Sequence, residues 1–231
     1  MATGKLSPRQ KMINLMYLIF IAMLAMNMSK EVLQAFGLMD TKLATANEAA
    51  TSRNKTAYED LALKAVEQSE KYGDEKTKAD KIKKLSDEFY GYIEGIKEEM
   101  KASVDDPTDY ETMDSEKFLD SRFFKGDAGK YHEEGQMFVD NMNNYRDQIN
   151  TILGDGSASI KSDVNSRFST EMVKNREGKD IHWLDYNYKG FPLVASITKM
   201  TQVQADIKTT ETEILGNILQ GQMASDVSMN N

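Results

Sequence analysis

The 231-residue chain contains no cysteine, which excludes a disulfide framework and thiolate metal sites while leaving its compartment open. Histidine is scarce as well. His132 and His182 stand 50 residues apart without an i, i+4 partner, a spacing that argues against zinc and for solvated or packing roles. Acidic side chains are missing from Met1 to Lys30, and charge of either sign is missing from the 18 positions Met12–Ser29. A helix of that length spans about 27 Å, close to the hydrocarbon thickness of a bilayer. The formal net charge is −8, with residues 1–39 contributing +3 and residues 40–231 contributing −11, so the bulk of the chain is too acidic for a nucleic-acid partner.

The mean hydropathy of −0.58 describes a soluble protein on average and hides this one concentrated apolar block. Three readings of the block compete. Lys5, Arg9 and Lys11 before Leu15–Met26 fit a secretion signal, but Asn-Met-Ser-Lys-Glu after Met26 offers no A-x-A cleavage site. A buried core helix would need greasy surroundings that the rest of the chain does not supply. The block therefore reads as an uncleaved transmembrane helix. Ser7, Pro8 and Gln10 give its start, with Ser at N-cap, Pro at N1 and Gln completing a capping box. Three bases precede the span while Lys30 is answered by Glu31 beyond it, which puts the N-terminus in the cytoplasm.

On a helical wheel Arg9 and Asn27 share one azimuth, and Met12, Met16, Ile19 and Met23 lie near it. Lys11, Asn14 and Tyr17 form a second polar group. Methionines filling gaps and an arginine reaching the headgroups account for the first face, whereas two Asn, a Tyr and an Arg together favour protein neighbours over lipid. Proton-driven membrane helices ordinarily expose a carboxylate, and this one has none. If the protein takes part in proton-powered work, the titrating acid has to come from a partner.

After the block the sequence reads as helices with few strand signals. Val32, Phe36, Met39 and Leu43 continue the apolar spacing without a Pro, predicting one rigid rod from the span to about Ala50, weakened slightly by Gly37. Ile82, Leu85, Phe89, Ile93, Ile96 and Met100 predict a helix ending before Asp105-Asp106-Pro107. Phe138, Met142, Tyr145, Ile149 and Ile152 predict another, stopped by Gly154, and Ile160, Val164, Phe168 and Met172 a third. The last helix begins after Gly190 with Pro192 near N1 and runs about 27 residues through Leu193, Ile197, Met200, Val203, Ile207, Ile214 and Ile218, a spine of about 40 Å. Segments 102–128 and 174–190 read as loops.

No stretch of the helical part offers convincing catalytic chemistry, so the chain reads as a non-enzyme without a cofactor or metal. Gly126–Tyr131 lacks the spacing and the hydroxyl residue of a phosphate loop. Asp105, Asp106, Asp109, Glu111 and Asp114 lack the glycine and terminal glutamate of a calcium loop. Trp183, Tyr186, Tyr188 and Phe191 crowd one short connection, either as a loop pinned to the bundle or as a contact patch.

Two stretches carry a family resemblance. "GKLSPRQKMINLMYLIFIAMLAMNMSKEVLQAFGLM", Gly4–Met39, resembles the N-terminus of the GldM/PorM family, and "YKGFPLVAS", Tyr188–Ser196, resembles that family's junction into its last long periplasmic helix. The family is the inner-membrane motor subunit of the Bacteroidota type IX secretion system and gliding machinery. The resemblance implies a homodimer whose spans thread a ring of a GldL/PorL-like multispan protein, with the partner supplying the intramembrane glutamate and proton motive force driving the motion. It implies Arg9 as the counter-charge to that glutamate, with Lys11, Asn14, Tyr17 and Asn27 as secondary contacts.

The resulting expectation is an all-α protein with one transmembrane helix continuing into an elongated periplasmic bundle. Its divisions are a cytoplasmic N-terminus over 1–7, the membrane helix with its outward extension over 8–36, the periplasmic helical bundle over 37–225 and a tail over 226–231. Family members continue into β-rich periplasmic domains, so the tail is expected to be truncated, and contacts with outer-membrane secretion components to run through those missing domains. A membrane-anchored sensory or ligand-binding ectodomain is the competing reading.

Overall fold

The computed structural model describes residues 8–26, 29–154 and 157–229, with side chains omitted from the description at 22–26 and 221–229. The first helix, α1, is Pro8–Met26, and α2 is Lys30–Glu67. The expected rod from the span to Ala50 is therefore divided. Ser29 adopts an extended conformation (φ −67°, ψ 142°) and its Oγ accepts from the Val32 amide at 3.4 Å, so a fresh N-cap starts α2. Asn27 and Ser7 lie outside the described residues.

The remaining helices are α3 (Ser69–Ala102), α4 (Lys117–Phe123), α5 (Glu133–Leu153), α6 (Ala158–Arg167), α7 (Trp183–Tyr188) and α8 (Leu193–Met229). A 3₁₀ turn at Tyr110–Thr112 precedes α4, and a two-residue antiparallel pair, Val173–Lys174 with Asp180–Ile181, precedes α7. The chain is thus mainly helical. The two expected loops each contain a short helix, and α8 has 37 residues rather than about 27.

The central helix is α8. It packs along α2 and α3, with α5 also against α3, α4 on α5, and α6 on both α5 and α8. The expected stripes of α3, α5 and α8 enter this core: Ile93, Phe138, Ile149, Met200 and Ile207 have no exposed surface. Met172 does not, because α6 ends at Arg167, and it is 56% exposed. On α2 the buried face is Leu33, Gly37 and Asp40, while Val32 and Met39 of the expected stripe face outward.

The base of α2 is clamped by the loop that follows α3. Tyr110 lays its ring on Gly37, its hydroxyl lies 3.0 Å from Thr41 Oγ1, and the adjacent Glu111 pairs with Lys30 at 3.2 Å. The same loop accepts two amides at the start of α8, Leu193 to Ser115 O at 3.0 Å and Val194 to Met113 O at 3.3 Å. Asp106 and Asp109 are used as turn caps, accepting from Thr108 and Glu111 amides. A Cβ on Gly37 would stand 2.1 Å from the Tyr110 ring. Gly37→Ala is accordingly expected to cost about 1–3 kcal/mol by overpacking, read as a lower denaturation midpoint. In a Tyr110→Ala background the same change should cost far less.

Candidate functional site

Polar residues, rather than apolar ones, occupy much of the contact between α2 and α8. Asp40, Asn47 and Asn54 are spaced seven apart, so one face of α2 presents all three, and each is at most 8% exposed. Thr198 Oγ1 donates to Phe36 O at 3.0 Å, Thr201 Oγ1 to Asp40 Oδ1 at 2.5 Å, and Asn47 Nδ2 to Thr201 O at 3.2 Å. Farther along, Asn54 Nδ2 donates to Lys208 O at 3.0 Å and its Oδ1 accepts from Thr212 Oγ1 at 2.7 Å. Tyr58 OH then donates to Glu211 Oε1 at 3.0 Å. Partner numbers rise together, so α2 and α8 run parallel from the clamped base.

Across α8 the antiparallel α3 completes the seam. Lys97 Nζ donates to Gln204 Oε1 at 2.7 Å and to Glu94 Oε2 at 3.0 Å, while Gln204 Nε2 donates to Tyr90 O at 3.2 Å and to Glu94 Oε2 at 2.8 Å. Burial opposes ionisation of Glu94, but the hydrogen bonds from Gln204 and Lys97 win and hold its carboxyl below the usual range. Lys208 Nζ donates to Glu211 Oε2 at 2.8 Å. Burial raises the Glu211 carboxyl, with Lys208 and Tyr58 offsetting part of the effect.

Such a ladder fixes register. Sliding α8 by one residue along α2 would strand several buried donors and acceptors, each costing about 1–3 kcal/mol unpaired, whereas a purely apolar contact slides at far smaller cost. Asn54→Ala removes two rungs at once and is expected to destabilise the domain by about 1–3 kcal/mol, measured by chemical denaturation. None of these residues stands out in composition. Their legible signal is the seven-residue spacing of Asp40, Asn47 and Asn54 inside a helical stretch.

The sequence-derived candidates fall elsewhere. Pro8 begins α1, which carries Arg9, Gln10, Lys11, Asn14 and Tyr17, and side chains from Pro8 to Ile21 are exposed, including Leu18 at 68% and Phe20 at 61%. Among the described residues no helix is long and apolar enough to cross a membrane. The expected membrane helix with its outward extension over 8–36 is thus not met as one helix: α1 carries Arg9, Gln10 and Lys11 in its first turn and ends at Met26, and α2 starts anew at Lys30.

The aromatic connection is largely internal. Trp183 stacks on Phe138 (6.3 Å between centroids), Tyr188 meets the same ring edge-on at 5.4 Å and is buried, and Lys199 Nζ lies 3.9 Å from the Phe191 centroid. Only Tyr186 of the four is exposed, at 45%. Gly190, at φ +71°, makes the turn into α8 and donates its amide to Asp120 Oδ1 at 3.0 Å. His132 and His182 sit at the N-cap positions of α5 and α7. Among the described residues no three His, Cys, Asp or Glu side chains gather as a metal site.

Residues 31–221 match the family model described as the GldM N-terminal domain, which takes in α2 through most of α8 and the whole seam. The chain belongs to the GldM family. The match begins at Glu31, so α1 lies before it. No curated protein matches the chain. Membership of the GldM family connects the chain with gliding motility and type IX secretion, as a structural, motor-related subunit of an inner-membrane complex.

Proposed function

We propose that this GldM-family chain is the lever of a proton-motive-force-driven inner-membrane motor, a non-enzymatic subunit that carries motion from the membrane into the periplasm. The observation that carries this reading is the polar seam. It locks α2, about 57 Å long, to the parallel α8, about 55 Å long, so that a displacement at the clamped base moves both helices as one body. A lever needs that resistance to sliding.

In this reading the apolar block from Met12 to Ser29 anchors the chain as a single pass with its N-terminus in the cytoplasm. Two copies stand inside a ring of a GldL-like multispan protein. Arg9 faces the partner's intramembrane glutamate, and Lys11, Asn14, Tyr17 and Asn27 line the same contact. The absence of acid before Glu31 makes the partner the owner of the titrating group. Tyr186, exposed at the base of α8, is the part of the aromatic connection free to meet a neighbour. Domains beyond the tail would reach outer-membrane secretion components.

Topology provides the first test. Protease added to cells with a permeabilised outer membrane should degrade the helical domain while sparing an epitope placed before Ser7. Loss of that epitope together with the domain would put the N-terminus on the wrong side and overturn the anchor.

A further inference from the structure

One rung of the seam has two possible settings. Lys208 Nζ, bonded to Glu211 on its own helix at 2.8 Å, also lies 3.7 Å from Asp87 Oδ1 on α3. The Lys208 and Glu211 side chains are 7% and 1% exposed, and Asp87 is half exposed. The second oxygen of Glu211 accepts from Tyr58 of α2, and the Tyr90 ring of α3 lies 5.1 Å from the Lys208 ammonium. The cluster opens on a surface cleft of about 350 Å³ between α2 and α3, walled in part by Thr51, Lys55, Glu59 and Lys83. The cleft is open to solvent along its exposed Lys55–Glu59 rim, which gives the lysine side chain room to move and solvent a route to Glu211.

We propose that Lys208, Glu211, Asp87 and Tyr58 form a proton-operated latch that shifts the balance of this rung's attachment of α8 from α2 toward α3. With Glu211 ionised, it holds the Lys208 ammonium on one oxygen and the Tyr58 hydroxyl on the other, tying α8 to α2. A proton taken from solvent by Glu211 cancels its attraction for the ammonium. Lys208 then turns to Asp87 and strengthens the tie of α8 to α3, while the neutral Glu211 keeps only an uncharged, weaker acceptor for Tyr58 of α2.

The surrounding charges permit this exchange. From α2 the facing groups are Lys55, Tyr58 and Glu59, the first and last paired at 3.9 Å. From α3 they are Lys83, Asp87 and Tyr90, and Lys83 pairs with the Asp87 oxygen turned away from Lys208. Tyr145 of α5 is buried and bonded to Ser86, and Arg167 of α6 is committed to Glu213 at 2.6 Å. Burial raises the Glu211 carboxyl. A carboxyl raised in this way binds its proton more firmly folded than unfolded, so its stabilising contribution is present at low pH and lost as pH rises through the raised value.

As a control on force transmission the latch rests on the motor reading above, but its test needs no partner. Hydrogen–deuterium exchange of the full chain in detergent, corrected for intrinsic rates, is followed as pH is lowered through the acidic range. Protection around Asp87 in α3 should rise about tenfold while that around Tyr58 in α2 falls. Glu211→Gln should show the low-pH pattern at every pH, and Asp87→Asn should lose the gain in α3. A flat response in the natural chain, or an unchanged pH course in Glu211→Gln, overturns the latch and leaves the motor reading standing. Failure to find a membrane partner would do the reverse.

Discussion

Phe138→Ala is expected to lower the unfolding free energy of the helical domain by about 3–5 kcal/mol, the largest stability effect of any single substitution considered for this chain. Phe138 is fully buried at the meeting point of α3, α4, α5 and α7, with ring centroids of Phe123, Tyr188, Trp183 and Tyr92 between 5.4 and 6.4 Å away. Truncation removes the transfer free energy of a phenyl ring and leaves a cavity that four aromatic neighbours cannot fill by small rotations. For a domain of this size the melting temperature should fall by roughly 10–15 °C. Met172→Ala, at an exposed methionine, should stay within about 0.5 kcal/mol. Equal melting shifts for the two variants would show that the aromatic cluster does not organise the domain.

The second large effect is functional. Arg9→Ala should abolish secretion or gliding while the protein still inserts and still co-isolates with its partner. The reason is dielectric: in the proposed contact an ion pair would be worth several-fold more where water is scarce than at a wet surface, and Arg9→Ala would leave the partner's carboxylate without its counter-charge. Stability of the helical domain should not change, since Arg9 is exposed on α1 and the domain's contacts begin with α2. Arg9→Lys should restore part of the activity, because the charge returns without the planar fork. Full activity in Arg9→Ala would reduce Arg9 to a topology signal.

The helices with apolar cores were readable from spacing alone. Ile82 to Met100, Phe138 to Ile149 and Leu193 to Ile218 all fall where a period near 3.6 puts them, because burial there is apolar and leaves its mark on composition. For α2 the expected stripe holds at Phe36, packed on the core, and at the half-buried Leu43, but fails at Val32 and Met39. Between its buried Leu33 and Leu61 the core positions are small or polar, among them Gly37, Asp40, Asn47 and Asn54, and the apolar Val32 and Met39 stand on the outer face. Lys97, Lys208 and Glu211 are invisible to any hydrophobic count, since each is buried only by virtue of its partners. Short helices α4 and α7 escaped because six or seven residues hold too little periodicity, and tertiary packing of Phe123, Trp183 and Tyr188 sets them. The break at Ser29 repeats the N-cap logic already legible at Ser7, followed by Lys30-Glu31 in the first turn.

The lever account stands or falls on what the chain holds in the membrane. Gentle affinity isolation from native membranes, followed by mass spectrometry of the intact chain and its companions, tests it most directly. The account predicts a chain that retains Arg9 and the whole apolar block, recovered with a multispan protein carrying an acidic residue within one of its spans. Recovery of the chain alone, or of a form lacking roughly its first 28 residues as signal-peptide cleavage would leave it, would contradict it.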